Sequence, residues 1–177
     1  MPDGEEGLEA QEVLQLIQSR RSVRHFSDAP VDGDQVDAIL EAGRWAPSGL
    51  NNQAWRFAVI GDASVRAEIA ALTRYGSVIT NAPVIIAVFV HRPSMYHEVK
   101  DYQAIGACLQ NMLLMTQALG LGAVWLGEIL KNAEAVRQVL GLSQDLELMA
   151  VVALGHPKKE GGKGERKELT DLVLVRR

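Results

Sequence analysis

PVIIAVFV, residues 83–90, is a continuous apolar run rich in β-branched side chains. A strand that shows one face to water alternates apolar and polar residues, whereas a run without a polar member is a strand buried on both faces. The sheet that contains it therefore needs cover on two sides. The segments around it read as that cover and as the remaining strands. WRFAVIG at 55–61 and the stretches 122–127 and 146–154 read as strands. LEAQEVLQLIQS at 8–19 reads as a helix with Leu8, Val13, Leu16 and Ile17 on one face. A second helix is predicted over 34–45, with Asp34 as N-cap and Val36, Ile39, Leu40 and Ala42 inward, stopping before Pro47. Shorter helices are predicted over 63–74 and 132–140. The alternation describes an α+β layered protein, one domain over residues 1–177, with no internal repeat and no linker.

DYQAIGACLQNMLLMTQAL at 101–119 is the longest helical segment, closed by Gly120. Ala104, Ile105, Cys108, Leu109, Met112 and Met115 form one apolar stripe, and Ala107, Leu113, Leu114 and Ala118 fill other directions. A helix apolar nearly all round is buried nearly all round. A sheet covers one side of it. The other side is covered either by the rest of the chain or by a second subunit, and the pattern alone fits both.

The composition, 47% hydrophobic and 23% charged over 177 residues, is that of a globular chain able to build a core. No stretch of about 18 apolar residues is present to span a bilayer, and MPDGEEGLEA is acidic where a signal peptide is basic and then apolar. The expected location is the cytoplasm, with no membrane contact. Cys108, the single cysteine, excludes an intramolecular disulfide and a cysteine-built zinc site, and its apolar surroundings predict an inert buried thiol. A net charge of −4 argues against a nucleic-acid partner.

Within that acidic chain, RRSVRHF at 20–26 concentrates Arg20, Arg21 and Arg24. Cations at a helix end are favoured by the macrodipole and need mean nothing more. A second polar group, WAPSGLNNQAW at 45–55, places amides and a hydroxyl on a constrained loop able to read the edge of a polar ring. Lys163, Arg166 and Lys167 form a late basic site. Two basic clusters and an amide-rich loop suit an anionic ligand with a polar aromatic head, such as a flavin or another phosphorylated nucleotide.

RRSVRHF, APSGLNNQAWRF, GLGAVWLGE and a late basic pair after GHP, in that order, resemble the FMN-dependent nitroreductase family over residues 12–170. The resemblance implies a three-layer α+β fold with a central mixed sheet flanked by helices. It also implies an intertwined homodimer with FMN at the subunit interface, NADH or NADPH as electron donor and a small planar electron acceptor. Carried onto this chain, Arg20, Arg21, Ser22 and Arg24 correspond to the element that grips the phosphate and ribityl chain and reaches the flavin pyrimidine. Pro47, Ser48, Gly49 and Asn51 correspond to the loop reaching the flavin from the other subunit, braced by Gln53. Trp125, Leu126, Gly127 and Glu128 correspond to the strand end along the flavin edge, where the N–H of Gly127 or Glu128 faces N5. Arg166 and Lys167 correspond to the late phosphate-binding pair. Arg24, Gly127 and Glu128 are the groups the resemblance places at the reacting ring, with Arg24 stabilising charge on the reduced flavin. Two departures stand out: Ala54 replaces a usual proline, and Gly164 stands where a second basic residue often precedes the position of Arg166.

The implied activity is reduction of nitroaromatics, quinones or flavins in two half-reactions. The alternatives are a flavin-binding protein without nicotinamide turnover and a dehalogenating or flavin-consuming relative. The glycines of GLGAVWLG precede a strand where a dinucleotide loop would follow one. GHPKKEGGKGE lacks the hydroxyl residue after Lys163 that a Walker loop needs. His91, His97 and Glu98 match no standard metal spacing, so no metal is expected. HRPSMYHEVKDY at 91–102 reads as a connection in which Tyr96 and Tyr102 are candidates for touching substrate.

Overall fold

The computed structural model describes residues 9–159, 162 and 164–177. Its elements are α1 (Ala10–Ser19), α2 (Gly33–Arg44), β1 (Trp55–Ile60), α3 (Ala63–Ala70), α4 (Gly76–Asn81), β2 (Val84–His91), α5 (Glu98–Ala118), β3 (Gly122–Leu126), α6 (Ala133–Val139), β4 (Leu146–Gly155) and α7 (Leu169–Leu172). The strands form one sheet in the order β1-β2-β4-β3, antiparallel at every pairing. Its parallel component is an isolated bridge between Ser22 and Ala123 beside β3.

Ile85 to Val90 are all buried, because β2 lies between β1 and β4 with helices on both faces. Ile86, Val88 and Val90 join Ala150, Val152 and Leu154 in a core closed by Val36 and Ile39 of α2 and Ile105, Leu109 and Met112 of α5. Ile85, Ala87 and Phe89 face the other way, into a core closed by Ile69 of α3, Val78 and Ile79 of α4 and Val136 of α6. The period-2 alternation of a strand thus assigns each core to one face of the sheet.

Several element limits differ from the sequence reading. Asp32, not Asp34, is the N-cap of α2, and the Gln35 side chain accepts the Asp32 N–H at 3.2 Å. The helix expected over 63–74 stops at Ala70, and α4 follows it as a separate helix. α5 begins three residues earlier than its apolar run and ends with Gly120 at φ +71, a left-handed residue that lets the Leu121 N–H return to the Thr116 carbonyl at 3.0 Å. Cys108 has no exposed surface, and burial pushes its thiol up to about 12.

The described part of α1 contains no buried residue. Val13, Leu14 and Ile17 are 41%, 45% and 44% exposed, and Leu16 is half-buried, so the apolar face expected of this helix lacks full cover among the described residues. Leu8 lies outside the described residues. On the same side, a cavity of about 300 Å³ opens between Leu16, Ala42, Trp45, Leu114, Met115 and Ala118.

Candidate functional site

The basic stretch 20–26 is held as a strap that touches the outer edge of β3 and then the residues that follow β4. The Val23 N–H donates to the Ala123 carbonyl at 2.9 Å, the Ser27 N–H to the His156 carbonyl at 2.8 Å, and the Lys158 N–H to the His25 carbonyl at 2.9 Å. Val23 and Phe26 are the inward residues of the strap, both buried in the second core. Gly122 makes the close approach possible: a Cβ there would lie 2.7 Å from that of Val23. With these two residues inside, Arg20, Ser22 and Arg24 are left at the surface or half-buried. Beyond the single bridge of Ser22 to Ala123 the strap runs to the residues that follow β4, where Phe26 bridges Pro157.

Neither Arg20 nor Arg24 uses its guanidinium in a hydrogen bond or ion pair among the described residues. Arg21 turns back and donates to the carbonyls of Gln18 and Arg20, at 2.5 and 2.8 Å, which caps the end of α1. Its guanidinium also lies against Gly164, on the side where Arg166 arrives. A Cβ at Gly164 would stand 3.2 Å from both Arg21 Cζ and Arg166 Nη1. The glycine that departs from the expected pattern leaves room for these two cations to meet. Among the described residues no carboxylate pairs with either. Lys167 is exposed near them in sequence, and Lys163 lies outside the described residues. A set of guanidinium donors held together without a counter-charge fits a phosphate monoester, which supplies about two negative charges and several acceptor oxygens.

Trp125 is 43% exposed while Leu126 is buried. Gly127 leads into a short 3-10 turn over Glu128–Asn132. The Glu128 carboxylate points away from the strap into a separate network. It accepts the Thr73 hydroxyl at 2.6 Å and the Arg74 N–H at 3.3 Å, and it pairs with Lys131. Lys131 and the Thr73 hydroxyl, with a further contribution from the Arg74 N–H, hold it at about 2 against the opposing effect of burial. The Glu128 side chain is thus an anchor for the turn.

The loop 47–53 stands elsewhere. It lines a cavity of about 240 Å³ with α5, between Pro47, Ser48, Gly49, Lys100, Ala104 and Ala107, and none of the strap arginines borders that cavity. The Gln53 side chain donates to the Asn51 carbonyl at 3.2 Å, and the Gln53 N–H donates to Ser48 Oγ at 3.2 Å. Leu50, Asn51 and Gln53 have φ of +54°, +53° and +47°, a region disfavoured for side chains with a Cβ. Ala54, in place of proline, is buried and accepts the His91 N–H at 2.7 Å. The structure brings Arg21 and Arg166 to one glycine and bridges Ser22 to Ala123 of the strand that ends at Leu126, while the cavity lined by Pro47, Ser48 and Gly49 borders none of these residues.

The two tyrosines of the connection differ. Tyr102 is committed to structure, its hydroxyl within 3.2 Å of both Glu98 and Glu147, and burial, followed by Glu147, pushes it up to about 12. Tyr96 is 42% exposed and packs its ring on Gly49, where no side chain has room. Sequence reasoning missed Thr73 and the pair Asn52–Asp101. Asn52 donates to Asp101 at 2.6 Å; burial opposes the Asp101 charge, but hydrogen bonds from the His97 N–H, Asn52 and the Tyr96 N–H outweigh it and hold the carboxyl below its ordinary range. A signal for Asp101 was present: it precedes Ala104, Ile105 and Cys108 at helical spacing, on the buried stripe.

The sequence profile of the Nitroreductase family matches residues 17–76 and 71–156. A provisionally named NADH dehydrogenase/NAD(P)H nitroreductase of Archaeoglobus fulgidus is 33% identical over 153 residues, covering 85% of this chain and 88% of its own. An FMN reductase [NAD(P)H] of Bacillus subtilis is 27% identical over 173 residues, covering 88% of this chain and 70% of its own. The crystal structure of a provisionally named nitroreductase in complex with FMN, from Desulfovibrio desulfuricans, is 50% identical. It superposes with a TM-score of 0.89 over 93% of this chain and 96% of the other.

Proposed function

The chain belongs to the nitroreductase family, and on that premise we propose that it is an FMN-dependent NAD(P)H oxidoreductase of small planar acceptors, working as a homodimer. The observation that carries this reading is that Arg21 and Arg166 both lie against Gly164 with no carboxylate paired to either among the described residues. Like charges gathered on a protein surface raise its energy, and a bound dianion reverses the sign of that term. Arg20, Ser22 and Lys167 complete the proposed phosphate and ribityl grip. The names of the FMN-bound structure from Desulfovibrio and of the Bacillus FMN reductase support the same ligand.

When bound, FMN supplies acceptance of a hydride from NADH or NADPH and return of two electrons to a quinone, nitroaromatic or flavin acceptor. The chain's own residues position and polarise. Arg24 is assigned to the pyrimidine edge of the ring, where a fixed cation lowers the energy of the charge gained on reduction without reorganising. The N–H of Gly127 or Glu128 is assigned to N5. The network of Glu128 with Thr73, Arg74 and Lys131 keeps that donor from moving when the ligand changes charge. Trp125 offers an exposed ring at the end of β3. No side chain is assigned as acid or base, so the proton that accompanies acceptor reduction comes from solvent.

Pro47, Ser48, Gly49 and Asn51, with Gln53 behind them, are assigned to the flavin of a second copy. Two observations support a two-chain site. The cavity beside this loop shares no lining residue with the arginine strap. Val13, Leu14 and Ile17 of α1 are half-exposed, and Trp45 at the end of α2 is 74% exposed. The acceptor and donor share one cavity in turn, which predicts parallel double-reciprocal lines. Among the described residues no helix is long and apolar enough to cross a membrane.

The experiment is direct. The purified protein is expected to be yellow, dimeric, and bleached by NADH or NADPH without air, with colour restored by a quinone or nitroaromatic. Colourless protein that refuses added FMN, or a stable monomer, overturns the reading. Yellow protein that neither nicotinamide bleaches is a flavin-binding protein without turnover.

A further inference from the structure

α5 carries an acid where its register calls for an apolar side chain. Asp101 is 1% exposed and lies on the same buried face as Ala104, Ile105 and Cys108. Its carboxylate is fully used. Oδ1 accepts from Asn52 Nδ2 at 2.6 Å, and Oδ2 accepts the N–H groups of Tyr96 at 3.0 Å and His97 at 2.9 Å. Asn52 Nδ2 also donates to the Ser94 carbonyl at 3.0 Å, while Asn52 Oδ1 is buried without a partner. Three neighbours of Asn52 hold left-handed backbone although none is glycine. The loop therefore keeps a shape that its own residues disfavour, and Asp101 of α5 is a buried group from outside the loop that holds it there.

Capping of α5 alone does not account for this arrangement. The cap uses Oδ2 and needs no partner at position 52. The bond from Asn52 survives with one of that side chain's own buried oxygens left unpaired, a local cost that helix capping does not require. Tyr96, whose N–H the same carboxylate holds, packs its ring on Gly49, so one buried charge fixes both walls of the loop.

We propose that Asp101 is a positioning residue for the flavin held by the other copy of the chain, acting through Asn52 on the 48–53 loop. This rests on the reading above that the loop of one chain meets the flavin gripped by the arginines of its partner. It adds a buried residue that touches no ligand but sets the shape of the one element that crosses.

The test uses the FMN-loaded protein. Asp101→Ala and Asn52→Ala are each expected to weaken FMN about tenfold, read from recovery of free-flavin fluorescence on dilution. The double variant is expected to be no weaker than Asp101→Ala, because the second change removes only what the first acted through. Asp101→Asn, which keeps the side chain's size but cannot serve three donors, takes its place if the alanine variant does not fold. The deciding sample is a mixed dimer, isolated with two affinity tags, of an Asp101 variant chain and an Arg24→Ala chain. One of its sites carries both lesions and the other carries neither, so half the flavin is expected to bind with wild-type affinity. A purely structural effect of Asp101 on its own chain gives no such recovery. Absence of recovery, or additive effects of the Asp101 and Asn52 changes, overturns the proposal while yellow wild-type protein leaves the flavin reading standing. Wild-type protein that binds no FMN overturns both.

Discussion

Arg21 and Arg166, from opposite ends of the chain, lie against the same glycine: a Cβ at Gly164 would be 3.2 Å from each guanidinium group. Two cations share a surface that no described carboxylate neutralises, and the ligand that fits is anionic. Arg166→Ala is expected to weaken FMN by about ten- to a hundredfold, the scale of one lost charged hydrogen bond. Riboflavin, which lacks the phosphate, is expected to bind the variant and the wild type alike. Fluorescence titration of both flavins checks this, and an equal loss for riboflavin removes Arg166 from the phosphate.

Arg24 is exposed in the strap, and its guanidinium has no partner among the described residues. Arg24→Ala is expected to weaken FMN and to slow its reduction by NADH or NADPH about tenfold or more, the order of a lost fixed charge at a developing anion. Stopped-flow bleaching under saturating FMN separates the two effects. Unchanged affinity and rate refute the assignment.

Glu128 makes a prediction in pH. Lys131, followed by the Thr73 hydroxyl, lowers its folded value to about 2 from an ordinary 4.5. A depressed carboxylate contributes stability that is fully present above the unfolded value and is lost as pH falls toward the folded one. The contribution is therefore complete above about pH 4.5 and disappears between there and about pH 2. Glu128→Gln is expected to lower the melting temperature at neutral pH and to flatten its decline over that acid window. Thermal melts from pH 7 to pH 2.5 give the comparison, and coincident wild-type and variant curves above pH 4.5 contradict it.

Ile17 is 44% exposed beside Val13 at 41% and Leu14 at 45%, on a helix without a buried residue. A charge in that row is unfavourable only if the row is covered by another chain. Ile17→Asp is expected to convert the dimer into a concentration-dependent monomer and to lose FMN with it. Analytical ultracentrifugation with absorbance at the flavin band follows both at once. A dimer that persists at low micromolar concentration places the interface elsewhere.

Much of the layer order is legible in the pattern of apolar residues along the chain. The apolar run at 83–90 announces the central strand because only a strand covered on both faces dispenses with polar residues. The register of Ala104, Ile105, Cys108 and Met112, ended by Gly120, announces the long helix for the same local reason. Element limits were less legible: Asp32 rather than Asp34 caps α2, and the turn after Ala70 divides one expected helix into two. Such limits depend on which of several local caps the packed neighbours accept.

The sequence by itself determined the periodic features, the clusters of basic and amide residues, and the resemblance that those clusters carry. Only the tertiary structure decided which of them meet. The Arg21–Gly164–Arg166 contact, the tie of Glu128 to Thr73 and the bond from Asn52 to Asp101 each join residues far apart in the chain. Hydrophobic period is a property of neighbours within a few residues, set by helix and strand geometry. The pairing of distant polar groups is set by how layers stack, and it becomes visible when the sheet and its helices have fixed every side chain's direction.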